Sequence, residues 1–260
     1  MNPVLPAGGG PSASGGAGPR QSAVYIRYRA LQRVARQQPE PEQPRSAPLS
    51  IACGMGQTGM EAALAAVIFG ASLLGIDASP AAQKSAQRHR ACDFLVHSLD
   101  EALRMLKLSL RKAQPIAVGL LAEPAAALEA ILARGVQPQF LFLQGEDAAR
   151  AGAQAAWNTL LQRGAQPVPD SGRDLLPAAE LLVRWTAAQR TEMHRADALA
   201  LTVLPQEDDP RRLWLQRAPA CFERSTPQER ICSLTAAEFS ALQSALRTHA
   251  IDATLHCSAE

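Results

Sequence analysis

A glycine-rich turn between two apolar runs holds the residues of this sequence that are best suited to chemistry. Gly54, Gly56 and Gly59 follow a strand-like run at residues 48–53, in the spacing G-x-G-x-x-G, and precede a helix-like run at residues 60–69. In this spacing the first glycine permits a tight turn, the second lets a pyrophosphate approach the backbone, and the third lets the helix pack closely on the strand. The helix N-terminus then offers N–H groups and a positive dipole end to the phosphates.

An acidic residue completes the pattern. A second apolar run at residues 71–77 ends at Asp77, whose carboxylate would accept a hydrogen bond from a ribose hydroxyl. Strand, glycine turn, helix, strand and acid, in that order, predict a dinucleotide site. The alternative is a strand-to-helix turn that needs glycine only for a positive φ angle, and the two interpretations stay open at this point.

The elements that must position this turn alternate between strand and helix. After the first two strands, the apolar runs predict strands at residues 94–96, 115–121 and 140–143, with helices at residues 60–69, 79 onward, 99–112 and 124–134. Strands separated by helices indicate parallel βαβ units. We therefore predict an α/β fold, a Rossmann-like open parallel sheet with helices on both faces, in which the turns after the strands share one edge.

The second half of the sequence is less regular. It predicts helices at residues 153–162 and 175–190, strands at residues 198–204 and 212–216, and helix starts at residues 225–228 and 235–238. The latter helix, with the capping-box pattern of Thr235 and Glu238, would run to about His249. The predicted organisation is a tail at residues 1–47, a Rossmann domain at residues 48–205 and a mostly helical region at residues 206–260.

The N-terminal 47 residues are expected to lie outside the main fold. Residues 1–20 are rich in Gly, Pro, Ala and Ser, which predicts a flexible, disordered tail. Residues 22–38 predict a short helix, whose Val24, Leu31 and Val34 would dock on the domain surface; a basic helix facing a membrane is the alternative. A proline-rich linker follows at residues 38–48.

Composition excludes several classes of partner. The net charge is +2 and the basic residues are scattered, so we predict no nucleic-acid partner. No apolar run is long enough to span a bilayer, so we predict no membrane association. The five cysteines are odd in number and form no C-x-x-C pair, which disfavours disulfides and zinc ribbons. These features predict a cytoplasmic protein with reduced thiols and no metal site.

Several isolated residues of chemical interest can be interpreted as structural residues as well as functional ones. Cys53 precedes the glycine turn and is expected to be a small buried residue, with a redox-sensitive thiol as the alternative. Trp157, Trp185 and Trp214 are expected to be packing anchors. Only Tyr25 and Tyr28 are present as tyrosines, and neither belongs to the Tyr-x-x-x-Lys pair that a short-chain reductase requires.

Several ordered motifs beyond the glycines point to a family. They are Gly54-Met55-Gly56, Leu64-Ala65-Ala66, Gly75-Ile76-Asp77, Ser98-Leu99-Asp100-Glu101-Ala102-Leu103, Ala133-Arg134-Gly135-Val136-Gln137-Pro138 and Phe140-Leu141-Phe142-Leu143. Together, over residues 48–147, they resemble the Rossmann-like NAD⁺-binding domain of urocanase (urocanate hydratase).

The resemblance implies a cofactor and a chemistry. The cofactor would be NAD⁺, contacted by Gly54, Met55, Gly56, Gly59, Asp77 and Gln144. In urocanases, lyases of histidine catabolism, the nicotinamide acts as an electrophile that holds the imidazole of urocanate while water adds.

The sequence departs from the family at the reactive half of the site. The glycine turn carries extra residues at 57–61, Glu123-Pro124 stands where the family has Asn-Ala, and only Gln144 matches the family's D-Q-T-S-A-H loop. The large flanking catalytic part of urocanases has no counterpart. We therefore assign no catalytic residue and expect no turnover by the isolated chain.

Two functions follow from this sequence. The first is a urocanase-like NAD⁺-binding protein, a divergent lyase that works as a homo-oligomer or with a separate catalytic subunit. The second is a pseudoenzyme, a non-catalytic module for nucleotide sensing or protein interaction on a degenerate Rossmann fold.

Overall fold

The computed structural model describes residues 19–38, 47–142, 153–169, 176–204, 209–222 and 228–257. Most of the predicted disordered tail at residues 1–20 therefore lies outside the described residues, and so does Gln144. In chain order the elements are α1 (Gln21–Arg36), β1 (Leu49–Cys53), α2 (Gln57–Phe69), β2 (Ser72–Asp77), α3 (Pro80–Arg88), β3 (Phe94–Val96), α4 (Leu99–Lys112), β4 (Ala117–Leu121), α5 (Pro124–Ala133), β5 (Phe140–Phe142), α6 (Ala153–Gln162), β6 (Gln166–Val168), β7 (Glu180–Ala187), α7 (Arg190–Val203), α8 (Pro210–Phe222), β8 (Gln228–Thr235), α9 (Ala236–Thr248) and β9 (Ala253–Cys257).

The first six strands form one parallel sheet in the order β3-β4-β2-β1-β5-β6. In its centre, Ile51 of β1 pairs with Leu74 of β2 on one side and with Leu141 of β5 on the other. From β1 the chain builds the sheet outward through β2 and β4, and then returns to the other side of β1 for β5. This reversal is the point at which open α/β sheets bind ligands, and it lies next to the turn after β1.

Helices cover both faces of this sheet. Ile51, Leu74, Val118 and Leu141 face a core shared with α4, α5 and α6. The opposite face, which includes Ala52 and other strand residues, packs on α1, α2, α3 and α8. The predicted Rossmann-like parallel sheet with helices on both faces is confirmed.

Helix α1 belongs to the core and does not merely dock on the surface. Val24, Tyr25, Tyr28 and Leu31 are fully buried, and the ring of Tyr25 meets Trp214 of α8 edge-on at 4.9 Å. Because α1 covers the outer side of α2, nine of the thirteen residues of α2 are buried, which explains why its apolar residues are not confined to one face. The apolar face of α1 is therefore occupied, against the membrane-facing alternative. Within the described residues, no helix is both long and apolar enough to cross a bilayer.

The remaining strands form a second, antiparallel sheet in the order β8-β7-β9. Trp185 of β7 pairs with Arg230 of β8 and with Leu255 of β9. This sheet joins strands from both sides of the boundary predicted at residue 205. Helices α7 and α9 pack against it and against each other.

Several elements predicted for this region are wrong. Residues 180–187 form a strand instead of a helix, since Val183, Trp185 and Ala187 are buried in alternation with more exposed neighbours. The strand predicted at residues 198–204 is the second half of helix α7, whose Met193, Ala196 and Ala200 are buried at helical spacing. The strand predicted at residues 212–216 lies inside helix α8.

The predicted helix starts had different outcomes. The Thr235 capping box is confirmed, because Thr235 Oγ1 accepts from the Glu238 N–H at 3.3 Å and Glu238 Oε2 accepts from the Thr235 N–H at 2.8 Å. Ser98 is the N-cap of α4 but forms no side-chain cap hydrogen bond. Instead of a helix, strand β8 begins at Gln228.

Among the described residues, no strand pairs with one edge of β8, and this edge is covered by side chains. Four hydrogen bonds connect this edge to α1 and α8. From α1, Gln21 Nε2 donates to the Glu229 carbonyl at 3.2 Å, and Tyr25 Oη accepts from the Ser233 N–H at 2.9 Å. From α8, Trp214 Nε1 donates to the Ile231 carbonyl at 2.6 Å, and Arg211 Nη1 donates to the Ser233 carbonyl at 3.2 Å. The bound groups belong to alternate residues, as expected for one edge of a strand. We refer to these contacts as the β8 seam; they attach the second sheet to the Rossmann core and protect its edge.

Candidate functional site

The predicted site residues begin at the turn between β1 and α2. Gly54 has φ 89°, and its N–H donates to the Ile76 carbonyl at 2.7 Å, so the turn itself requires glycine there. Gly56, the N-cap of α2, has φ −64°, which any residue can adopt. Within the part of the chain that the structure describes, a Cβ at Gly56 would meet no atom within 4 Å beyond its chain neighbours. Gly56 is therefore not needed for φ or for internal packing, and the space beside its backbone is open to a ligand.

The start of α2 presents main-chain donors toward this space. The first intrahelical hydrogen bond is donated by the Met60 N–H to the Gly56 carbonyl at 2.9 Å. The N–H groups of Gln57 and Thr58 precede it, and Gly56 supplies no side-chain cap. Gly59 is buried in the same first turn. This arrangement suits an anion at the N-terminus of α2.

Asp77 lies beside the glycine turn, as the sequence pattern predicts. Its Oδ2 accepts from the Met55 N–H at 2.6 Å, and its Oδ1 accepts from the Ser79 N–H at 2.7 Å. The carboxylate therefore joins the turn after β1 to the start of α3. A carboxylate accepts about four hydrogen bonds, so each oxygen retains capacity for a ribose hydroxyl. We call the carboxyl ends of β1 and β2, with the turn at residues 54–56 and Asp77, the glycine edge.

The Met55 side chain points into the core and anchors the turn. Met55 is fully buried, and a Cβ at Gly75 of β2 would lie 2.2 Å from its Sδ. The glycine in Gly75-Ile76-Asp77 therefore exists to admit Met55. Met55 can offer a ligand only its backbone.

Gln83 of α3 is a supporting residue that the sequence analysis missed. It is fully buried, and its Nε2 donates to the carbonyls of Gly75 and Leu120 at 3.0 Å each. A Cβ at Gly119 would lie 2.2 Å from Gln83 Oε1, so this glycine makes room for the amide. Glycines inside strands often mark such close approaches, and Gly75 and Gly119 were the signal available in the sequence.

The structure describes fewer of the predicted residues in the half of the site that would hold the nicotinamide. Glu123 is the exposed N-cap of α5, and the adjacent Ala122 N–H donates to the Asp77 carbonyl at 3.2 Å. This places a second carboxylate close to the glycine edge. Gln144 and the rest of the turn after β5 lie outside the described residues, so the structure does not place them.

Cys53 is not an activated thiol. It is buried at the end of β1, and burial together with the neighbouring Asp77 carboxylate raises its pKa to about 12. The thiol therefore keeps its proton at neutral pH, whereas a reactive cysteine has a lowered pKa. The expectation of a small buried residue agrees with this environment.

A second polar cluster, at the β8 seam, combines residue types that also occur in active sites. Arg29 Nη1 donates to Tyr25 Oη at 3.0 Å, to Ser233 Oγ at 2.7 Å and to Glu180 Oε2 at 2.9 Å, and the Ser233 hydroxyl donates to Glu180. Burial raises the pKa of Tyr25 above its ordinary value. Each polar group here is bound to another group of the protein, so the cluster acts as a buried connection between α1 and the second sheet.

The tryptophans are buried packing residues, as expected. Trp157 packs between α6 and the parallel sheet, while Trp185 and Trp214 are fully buried around the second sheet. Among the described residues, no group of three or more His, Cys, Asp or Glu side chains could hold a metal ion.

The family comparison agrees with the resemblance seen in the sequence. Residues 21–145 match the family model described as the Urocanase Rossmann-like domain. The match starts at Gln21, the first residue of α1, and so includes the helix that covers α2. The sequence motifs that resemble the family lie at residues 48–147 and do not include α1. It ends near the turn that follows β5.

Solved structures show only distant similarity. PKMT2 from Rickettsia typhi in complex with AdoHcy is 11% identical over 87% of this chain and 37% of its own, with a TM-score of 0.32. A SAM-dependent methyltransferase from Thiobacillus denitrificans in complex with S-adenosyl-L-homocysteine is 16% identical over 95% of both chains, also at 0.32. Acetophenone reductase from Geotrichum candidum in complex with NAD is 13% identical over 57% of this chain and 53% of its own, at 0.20. This chain spans little more than a third of the Rickettsia protein, and scores this low support no inference about its ligand.

Proposed function

We propose that this chain is an NAD⁺-binding protein related to urocanate hydratase, because residues 21–145 match the model of the Urocanase Rossmann-like domain. The observation that carries the proposal is the open space beside Gly56. Among the described residues, a Cβ there would meet no atom within 4 Å apart from its own chain neighbours, although the residue's φ angle would accept one. Such a glycine is best explained by a ligand that approaches the backbone.

The residues of the glycine edge fit the phosphate and ribose part of NAD⁺. The pyrophosphate would lie against Gly56 and the N–H groups at the start of α2. Asp77 would accept from hydroxyls of a ribose while it keeps its bonds to Met55 and Ser79. When bound in a urocanase, NAD⁺ supplies an electrophilic nicotinamide ring. In this chain, Met55 would anchor the glycine turn in the core, and Gln83 would link β2 to β4.

We propose further that the isolated chain does not turn over urocanate. Glu123, exposed near Asp77, brings negative charge to the part of the edge where the family has a neutral amide. Catalysis would then require a separate catalytic subunit. The second candidate function, a non-catalytic nucleotide-sensing or protein-interaction module, is favoured by the same Glu123 and by the closed polar cluster around Arg29.

Calorimetry with NAD⁺ tests the cofactor proposal. The wild-type chain should bind NAD⁺, and Gly56→Val should weaken binding by roughly tenfold or more, because its side chain occupies the space of the pyrophosphate. Gly56 is the N-cap of α2, where valine is a poorer residue than glycine, so the variant should unfold at a slightly lower denaturant concentration but remain folded in the binding assay. Millimolar or absent binding that the substitution leaves unchanged would contradict the proposal.

Two further measurements separate the candidate functions. The ultraviolet spectrum released by denaturing the purified protein would reveal a bound nucleotide. The absorbance of urocanate should stay constant when purified chain and NAD⁺ are added. Detectable turnover would show that the C-terminal half supplies catalytic groups, and it would rule out the non-catalytic module.

A further inference from the structure

A buried carboxylate near the start of α2 receives positively charged partners from α1. Glu61 is 2% exposed, and side chains on a helix lean toward its N-terminus, so its carboxylate returns toward the first turn of α2. There Glu61 Oε1 accepts from Gln57 Nε2 at 3.3 Å. A negative charge at this point would by itself repel the phosphates of a nucleotide.

Two arginines of α1 approach this carboxylate in different ways. Arg27 Nη2 lies 3.7 Å from Glu61 Oε2, and the Arg27 side chain is 7% exposed. Arg20 Nε lies 3.6 Å from Glu61 Oε1, and the Arg20 side chain is 71% exposed. The buried Arg27 already balances the charge of Glu61, so Arg20 adds a net positive charge that solvent can reach.

Helix α1 carries Arg20 to the edge of the sheet where the glycine turn lies. Arg20 is the N-cap of α1 and meets α2 near the N-terminus of α2. At the other end of α1, Gln38 lines a cavity together with Gln137, Pro138 and Gln139, which precede β5 at the amino edge of the sheet. Helices α1 and α2 therefore run side by side in the same direction, and both N-termini point to the glycine edge.

We propose that Arg20 is a phosphate-binding residue of the nucleotide site, supplied by α1 from outside the glycine motif. The proposal rests on the proposed function, because it assigns a residue to the same site. Glu61 holds the guanidinium beside the first turn of α2, where it binds the pyrophosphate that lies against Gly56. The chain thus places a side-chain cation next to main-chain donors at the anion site.

The position of Arg20 permits a clean substitution. Its main-chain N–H also donates to Glu61 Oε1, at 3.3 Å, so a change of side chain leaves one link between α1 and α2 in place. Arg20→Gln should fold normally, as thermal unfolding would show. Arg36→Gln is the matched control, since Arg36 is exposed on the same helix, in its last turn, at the amino edge.

The experiment compares NAD⁺ with adenosine, which has no phosphate, by calorimetry on the full chain at low and moderate salt. Arg20→Gln should weaken NAD⁺ binding roughly tenfold and flatten its salt dependence, while adenosine binding stays unchanged. Arg20→Lys should restore part of the loss, and Arg36→Gln should behave like the wild type.

The possible outcomes separate the role of Arg20 from the proposal that the chain binds NAD⁺. If the wild type binds NAD⁺ in a Gly56-dependent way and Arg20→Gln binds it equally well, the role of Arg20 is refuted and the proposed function stands. An equal loss of NAD⁺ and adenosine in Arg20→Gln also refutes a phosphate contact. Absence of NAD⁺ binding by the wild type overturns both.

Discussion

The glycine edge and the β8 seam both have main-chain groups that lie outside the pairing between strands, but the surroundings of these groups differ. Along the seam, side chains of α1 and α8 bind the main chain of residues 229, 231 and 233. At the glycine edge, no atom of the described residues other than the chain neighbours of Gly56 lies within 4 Å of where its Cβ would be. The seam groups are bound by side chains, whereas the turn at the glycine edge keeps open space beside Gly56, which we propose a ligand fills.

The difference shows that residue types common in active sites can form a closed, purely structural cluster in this molecule. The cluster of Tyr25, Arg29, Glu180 and Ser233 has a hydroxyl beside a carboxylate and a guanidinium, yet these groups satisfy one another. The glycine edge has few side chains, and its capacity lies in backbone donors and Asp77. Helix α1 links the two regions, since it carries Arg20 at one and Tyr25 at the other.

The largest expected effect comes from breaking the β8 seam at Trp214. Trp214→Ala should lower the free energy of unfolding by about 3–5 kcal/mol, because it opens a cavity and leaves the Ile231 carbonyl unbound. Urea unfolding would measure the loss. Trp214→Phe keeps most of the packing and is the control, with a loss of about 1–3 kcal/mol. If folded Trp214→Phe also lost affinity for NAD⁺, the two regions would be coupled and the contrast between them would fail.

An effect of intermediate size should appear at the other end of the seam, where Arg211 binds two carboxylates. Arg211 contacts Asp209 at 2.6 Å and Glu238 at 2.7 Å, and all three side chains are largely buried. Burial alone would raise the pKa of both acids, but the hydrogen bonds and charge of Arg211 together lower them. Arg211→Met should cost about 3 kcal/mol at pH 7, because two carboxylates lose their partner.

The pH dependence of this cost follows from the direction of the two shifts. Since the folded protein binds these protons more weakly than the unfolded chain, the stabilisation is complete above the ordinary glutamate value of 4.5 and is lost as the pH falls through the folded values. The stability difference between wild type and Arg211→Met should therefore shrink below about pH 4.5. A difference that stays constant from pH 7 to pH 3 would contradict the assignment. Arg247→Met, in the last turn of α9, is a suitable surface control.

The sequence predicts the Rossmann half well because each element there carries a local signal. Glycine marks the turn after β1, Pro80 and Pro124 open α3 and α5, and α4 is amphipathic. The contact between Asp77 and the Met55 N–H depends on the shape of the turn, so only the proximity of the two segments was predictable.

The second half was predicted poorly because tertiary contacts decide its elements. Residues 175–190 are rich in Ala and Leu, which favours a helix, but residues 180–187 are the central strand between β8 and β9. Residues 198–204 are apolar except for Thr202, and periodicity in such a short run cannot separate a strand from a buried helix. In α1, the aliphatic residues alone suggested a narrow buried face. Tyr25 and Tyr28 fall at helical spacing with Val24 and Leu31, and counting them would have predicted the wider face that is buried.

The smallest expected effect gives the sharpest test of the contrast, because it separates stability from binding at a single glycine. Serine is among the best N-cap residues, and Gly56 has a φ angle that serine accepts and room for its side chain. Gly56→Ser should therefore raise the free energy of unfolding by up to about 1 kcal/mol, while it weakens NAD⁺ binding. Gly135→Ser is the matched control, since a Cβ there also meets nothing within 4 Å but φ is +65°. That variant should lose about 1 kcal/mol and bind NAD⁺ normally. Our proposal attributes a glycine at this position, where serine would be more stable, to ligand binding, and a Gly56→Ser protein that bound NAD⁺ as well as the wild type would remove that explanation.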